Sequence, residues 1–98
     1  MPEREPPLGA STVLRVAKNV LKRTAGSETV LLDLDSEEFF GLDGVGARAF
    51  ELFEQPRRVD AVVDTLLDEY DVDRQTLAAD VTDLVSALVS RKLLVVDA

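Results

Sequence analysis

The period of the hydrophobic pattern changes at Asp43, and this change restricts the folds open to the chain. Before Asp43, along residues 28–35, the hydrophobic pattern has a period of two residues. After Asp43, apolar residues recur every three or four positions as far as Ser90. Alternation predicts half-buried β-strands, and a period near 3.6 residues predicts amphipathic helices. The sequence therefore predicts strands first and helices second, which is the order of an α+β domain.

Three strands are predicted before the change of period. They lie at residues 12–24, with an interruption near the middle, at residues 28–35 and at residues 38–42. The short segments 25–27 and 35–37 contain the residue types that favour turns. Because tight turns join neighbouring antiparallel strands, we expect a three-stranded antiparallel meander.

Three helices are predicted after it. The first follows Asp43, whose carboxylate we expect to cap the first turn, and ends before Pro56. The second spans residues 59–70 and the third residues 74–90. The third helix carries its apolar side chains on one face: Leu77, Ala78, Val81, Leu84, Val85, Leu88 and Val89. Residues 93–96 are expected to be an extended piece packed on the core.

The predicted fold is thus α+β, a three-stranded antiparallel meander followed by three α-helices, similar to a winged helix with its wing moved to the front. We assign residues 12–98 to one domain, because a chain of 98 residues has the size of a single domain. Residues 1–11 contain three of the four prolines and are expected to form a flexible N-terminal segment.

The charge and the missing residue types exclude several classes of function. Lys and Arg number 11 and Asp and Glu 19, so the net charge of −8 disfavours nucleic acid and anionic membrane surfaces as partners. The absence of Cys and His removes thiol nucleophiles, zinc–thiolate ligands and the commonest general base. No apolar run approaches the roughly 20 residues of a membrane helix, and residues 1–7 do not form a secretory signal. We therefore expect a cytoplasmic, non-catalytic domain with no metal and no cofactor.

Two other functions remain open from the residues alone. Helices two and three, joined by residues 71–73, suggest a winged-helix DNA-binding regulator, although Asp80 and Asp83 on the third helix would repel phosphates. Ser36 follows an aspartate, as the attachment serine of acyl or peptidyl carrier proteins does, but a serine in a turn is the simpler interpretation. The acidic run at residues 33–37 lacks the glycine and the distal glutamate of a calcium loop.

A resemblance to a known family is carried by three consecutive motifs. They are VLLDLD at residues 30–35, FFGLDGVGA at residues 39–47 and FEL at residues 50–52. In this order, and followed by a valine-rich second helix and a third helix, they resemble the PqqD-like fold. The resemblance covers residues 19–96.

Three positions depart from the usual pattern of that family. Asp43 stands where Asn is usual, residues 55–57 replace an acidic residue and a glycine before the second helix, and Lys92 stands where Gly is frequent. We expect none of the three to touch the groove that the resemblance assigns to binding.

The resemblance implies that the chain is a recognition element that binds the leader segment of a ribosomally synthesised precursor peptide. A domain of this size is most similar to the leader-binding partner in lasso-peptide pathways, which works with a separate leader peptidase and a macrolactam-forming cyclase. The family binds the leader as a strand added antiparallel to the third strand, an exposed edge, beside the third helix. On this chain that implies the following leader-binding residues: Glu38, Phe39, Phe40, Gly41, Leu42, Leu77, Asp80, Val81, Leu84 and Leu88.

Two of these residues have specific expected roles. Gly41 removes side-chain bulk beside an incoming strand, and Asp80 at the rim of the groove can pair with a Lys or Arg of the leader. Because of the net negative charge, we expect no nucleic-acid partner and no membrane partner.

Overall fold

The computed structural model describes residues 9–26 and 28–97, which form six strands and three helices. In chain order they are β1 (Val13–Val16), β2 (Val20–Ala25), β3 (Glu28–Asp33), β4 (Glu38–Asp43), α1 (Gly44–Leu52), β5 (Arg57–Arg58), α2 (Val59–Glu69), α3 (Arg74–Ser90) and β6 (Leu94–Val96). Most of the predicted flexible segment, residues 1–8, lies outside the described residues. Within the last residues of that segment, the Ala10 carbonyl accepts a hydrogen bond of 2.9 Å from the Asp60 amide, which ties the chain to the first turn of α2.

The predicted meander is confirmed. β2, β3 and β4 form an antiparallel sheet in that order, with an unbroken register along both pairs of strands. The turn between β3 and β4 closes through Glu37, whose backbone adopts a φ of 62° and whose amide donates to the Asp33 carbonyl. The inner face of this sheet packs against the helices, and Leu31 at its centre is fully buried.

A second sheet, of order β5-β1-β6, is absent from the sequence-based prediction. The interruption predicted in residues 12–24 is the point at which the chain leaves this sheet and enters the meander. β1 pairs with β6 through Leu14 and Val96, and with β5 through Leu14 and Arg57, in both cases antiparallel. β5 has only two residues and both pairings join distant parts of the chain, so no local period indicates them.

The three helices are confirmed, and α3 begins and ends at the predicted residues. The Asp73 carboxylate accepts the Thr76 amide at 3.1 Å and so caps α3. Asp43 is the N-cap of α1, but its side chain makes no capping hydrogen bond, so that expectation is wrong. The next residue, Gly44, has a φ of 52°, and α1 therefore does not start with the regular geometry that brings its first amides onto a cap side chain.

The core lies between the three helices and the two sheets. Helices and both sheets contribute its fully buried large side chains: Leu14, Leu31, Phe50, Phe53, Leu66, Leu88, Leu93 and Leu94. The last two confirm that the closing segment packs on the core. Within the described residues, no helix is both long enough and apolar enough to cross a membrane.

Candidate functional site

β4 lies at the edge of the meander, so one side of its backbone has no strand partner among the described residues. The Leu34 amide donates to the Asn19 carbonyl at 2.9 Å. Every second residue of β3 counted back from Leu34 therefore bonds to β2, and the residues between them, among them Asp33, bond to β4. Bonding in an antiparallel ladder alternates from residue to residue, so every second residue of β4, beginning with Glu38, bonds to β3. The main-chain N–H and C=O groups of Phe39 and Gly41 consequently point toward the free edge.

A groove of about 520 Å³ lies beside this edge, between β4 and α3. The nearly buried Leu77 and Val81 form its floor, while half-buried Leu84 and exposed Val72 form its wall and rim. The lining is mostly apolar: Phe40, Leu42, Val45, Ala49, Val72, Leu77, Val81 and Leu84. The inward-facing side chains of a strand paired to β4 would therefore lie in this apolar groove.

The charges at the groove are negative. Asp43 at the end of β4 and Asp80 on α3 line it, and no Lys or Arg of the described residues does. On the β4 side, the guanidinium carbon of Arg91 lies 5.1 Å from the centroid of the Phe40 ring and stacks on it. The groove thus combines an apolar interior with two carboxylates at its rim.

The structure brings seven of the ten predicted leader-binding residues to this groove: Phe40, Gly41, Leu42, Leu77, Asp80, Val81 and Leu84. Glu38 and Phe39 lie on the edge strand outside the groove, and the Phe39 side chain, 68% exposed, points from the opposite face of the sheet. Leu88 is 0% exposed and belongs to the core, so it offers no surface to a partner.

Seven lining residues are missing from the sequence-based prediction: Asp43, Gly44, Val45, Gly46, Ala49, Val72 and Thr76. Because Asp43 is one of them, the expectation that the departures from the family pattern do not touch the groove is wrong for this residue. Val45 and Gly46 come from the first turn of α1, Val72 from the loop between α2 and α3, and Thr76 from the first turn of α3. The sequence signal for Val72 is its position between two aspartates, because a single apolar residue in an acidic loop indicates a contact with other apolar groups. The residues of α1 carry no such signal.

The site lies within the part of the chain that matches a known sequence family. Coenzyme PQQ synthesis protein D (PqqD) matches residues 28–94, which include β3, β4 and all three helices. The chain belongs to the PqqD family. The resemblance stated from the motifs is thereby confirmed.

Solved structures similar to this PqqD-family chain include two complexes with peptides. TbiB1 in complex with the TbiA(beta) leader peptide is 38% identical, with a TM-score of 0.76 over 82% of this chain and 93% of that one. A lasso peptide synthetase B1 complexed with the leader peptide is 23% identical, with a TM-score of 0.74 over 84% of this chain and 96% of that one. Both share the fold described above.

A third similar structure is the PqqD truncation of Methylobacterium extorquens PqqCD, a functional and stand-alone RiPP recognition element. It is 24% identical, with a TM-score of 0.72 over 91% of this chain and 97% of that one. No functionally curated protein matches the chain.

The structure of this PqqD-family chain gives no support to the carrier-protein alternative. Ser36 lies in the turn between β3 and β4, where its Oγ accepts the Glu38 amide at 3.3 Å, and not at the start of a helix. In the same turn the Asp35 amide donates to the Asp33 carboxylate at 2.9 Å, which is the main cause of a lowered pKa of Asp33. The polar groups of this turn are therefore used to hold the turn itself.

The acidic surface of α3 argues against the DNA-binding alternative. Asp80 and Asp83 of α3 are both exposed, as the sequence indicated, so a phosphate backbone would be repelled there. Over residues 9–26 and 28–97, no three potential metal-ligating side chains come together.

Proposed function

We propose that this PqqD-family chain is a non-catalytic recognition protein that binds the leader segment of a ribosomally synthesised precursor peptide in a lasso-peptide pathway. The observation that carries the proposal is the free edge of β4 running beside an apolar groove. Two similar structures, one of them 38% identical, are complexes with leader peptides, which supports the same class of ligand for this chain.

The main chain supplies the first part of the recognition. Phe39 and Gly41 each present one N–H and one C=O to the free edge, so an added strand forms ladder hydrogen bonds with these two residues. The leader would extend the meander from three strands to four. Bonds of this kind do not depend on the leader's side chains, and they set its position along β4.

The side chains supply the selectivity. Successive residues of an added strand point to opposite faces of the sheet, so the two leader residues beside Phe40 and Leu42 enter the groove. Both should be apolar and separated by one residue. Asp80 on the rim pairs with a Lys or Arg of the leader, as the resemblance implied.

The bound leader would keep the rest of the precursor near the enzymes that act on it. We assign those roles to a separate leader peptidase and a macrolactam-forming cyclase, so that this chain itself performs no catalysis. The cytoplasm is the expected location because the precursor is made there by the ribosome.

The experiment begins with a search of the genes beside this one for a short precursor peptide. A fluorescein-labelled synthetic peptide of its leader segment is titrated with the protein and followed by fluorescence anisotropy. We expect saturable binding with a micromolar or tighter Kd, lost when the leader sequence is scrambled. If protein that is folded by circular dichroism binds none of the neighbouring precursors, the proposed function is wrong.

The mechanism predicts a specific effect of Gly41→Pro. The Gly41 amide points away from β3, so proline removes no hydrogen bond of the existing sheet, but it removes a donor to the leader and obstructs the added strand. We expect the affinity for the leader to fall by at least about tenfold, while the circular dichroism spectrum stays that of the wild type.

Gly41→Ala is the matched control because it keeps the amide. A Cβ at this position meets no atom within 4 Å, so this variant should fold, and its loss of affinity should be clearly smaller than that of Gly41→Pro. Wild-type affinity in folded Gly41→Pro protein would contradict pairing at the β4 edge.

A further inference from the structure

A recess of about 210 Å³ lies beside Gly41 on the outer face of the meander, the face turned away from the helices. Gly41 is paired with Val30 on β3, and a Cβ at Gly41 would meet no heavy atom within 4 Å. Val30 is 38% exposed although it lies in the middle of the central strand. The recess therefore has an apolar floor that remains open because residue 41 has no side chain.

The position of the recess relates it to the proposed leader strand. Side chains of a strand added to β4 alternate between the two faces of the sheet, whichever direction the strand runs. Leader residues beside Phe40 and Leu42 enter the groove, and the residue between them, beside Gly41, lies on the outer face. With no side chain on Gly41, that leader residue can lie across the backbone of β4 and reach Val30.

The charges around the recess select one kind of side chain. Glu28 and Asp43 are directly opposite each other in the β3–β4 register, on the outer face, and both line the recess. Two like charges at such a pair of positions disfavour the sheet. Neither carboxylate forms a salt bridge within the described part of the chain, and Arg23, on the far side of Val30, does not line the recess.

We propose that this recess, the Gly41 recess, is a second side-chain subsite of the leader-binding site and takes a Lys or Arg of the leader. The aliphatic stem lies on Val30 across Gly41, and the cationic group lies between Glu28 and Asp43. This inference rests on the proposed function. It adds that the leader carries a basic residue between the two apolar residues that enter the groove.

The test compares the wild type with Gly41→Val. Valine fills the recess but leaves the main-chain groups of β4 unchanged, and its Cβ has free space, so the protein should fold. Each leader residue is changed in turn to alanine in the labelled peptide, and the affinity is measured against both proteins. At one position, alanine should weaken binding to the wild type by about tenfold and leave binding to Gly41→Val unchanged. That position should hold Lys or Arg.

The charge is tested separately with Glu28→Gln, because Glu28 lines the recess and not the groove. At low salt we expect an affinity about two- to fivefold weaker for the unmodified leader and unchanged for the peptide with alanine at the identified position. Asp83→Asn is the matched control. It removes one exposed negative charge from α3 away from both cavities and should not affect binding.

The outcomes separate this inference from the proposed function. Absence of binding to the wild type overturns both. Binding to the wild type together with identical alanine profiles for Gly41→Val overturns the Gly41 recess alone. An apolar or acidic residue at the identified position, or equal effects of Glu28→Gln and Asp83→Asn, overturns the assignment of a basic side chain.

Discussion

Among single residues, Lys92 has a side chain that conflicts with its backbone conformation. It follows α3 with a φ of 63°, a conformation that favours glycine. The Lys92 amide donates to the Val89 carbonyl at 3.0 Å and the Leu93 amide to the Leu88 carbonyl at 2.9 Å, so the turn ends the helix and directs the chain into β6. The geometry gives a physical reason for the frequent glycine at this position in the pattern of the PqqD-like fold.

Lys92→Gly is therefore expected to stabilise the protein by about 1 kcal/mol, because glycine adopts this backbone without the steric penalty of a Cβ. Thermal unfolding should show an increase in Tm of about 4–8 °C for a domain of this size. Lys92→Ala is the control, since it removes the charge and keeps the penalty, and it should give no increase. An equal gain in both variants would show that charge and not backbone strain is responsible.

At the scale of elements, the sequence predicted those helices and strands that are determined by capping and hydrophobic period within the segment itself. α3 was predictable to its ends because Asp73 caps it and its apolar residues keep a helical period to Ser90. β5 was not, because two residues have no period and pair only with a strand far away in sequence. The groove shows the same division. Its β4 and α3 walls were implied by the family resemblance, whereas Val45 and Val72 reach it through a helix start and a loop whose positions depend on tertiary packing.

The role of α3 as a wall of the groove predicts the effect of Leu84→Asp. Leu84 is half-buried and lines the groove, so a carboxylate there opposes the entry of apolar leader side chains. We expect the affinity for the leader to fall by at least about tenfold in fluorescence anisotropy. Val89→Asp is matched because Val89 is also a half-buried aliphatic residue of α3 but lies outside the groove. Equal losses of affinity in the two folded variants would mean that the effect comes from the core.

At the scale of the whole molecule, the chain has a net charge of −8, and the free energy of unfolding should depend on pH in the range where its carboxylates take up protons. Arg58 holds the pKa of Asp60 below its ordinary value, with Nη2 and Oδ2 2.7 Å apart. Arg48 on α1 does the same for Glu69 on α2, at 2.8 Å. Both carboxyl groups have lower pKa values in the folded than in the unfolded chain. Their contribution is therefore present above the unfolded pKa and lost as the pH falls through the folded one.

We therefore expect stability to change little between about pH 7 and 5 and to decrease below about pH 4, where these carboxylates take up protons. Urea unfolding at a series of pH values measures this dependence. Glu69→Gln should unfold more readily at neutral pH and show a smaller further loss in acid. If the free energy of unfolding of Glu69→Gln falls with decreasing pH as steeply as that of the wild type, the salt bridge between α1 and α2 does not have this role.

The pairing of β1 with β6 also has a consequence for how the domain can be joined to other proteins. The Asp97 amide donates to the Val13 carbonyl at 2.8 Å and the Asp97 carboxylate binds Arg15, so the chain leaves the described domain at the place where it enters. Domains with adjacent ends tolerate insertion and circular permutation well. A host protein could accept residues 9–97 as a cassette between two neighbouring positions of one surface loop, and a short linker could join the two ends of the cassette in a permuted chain.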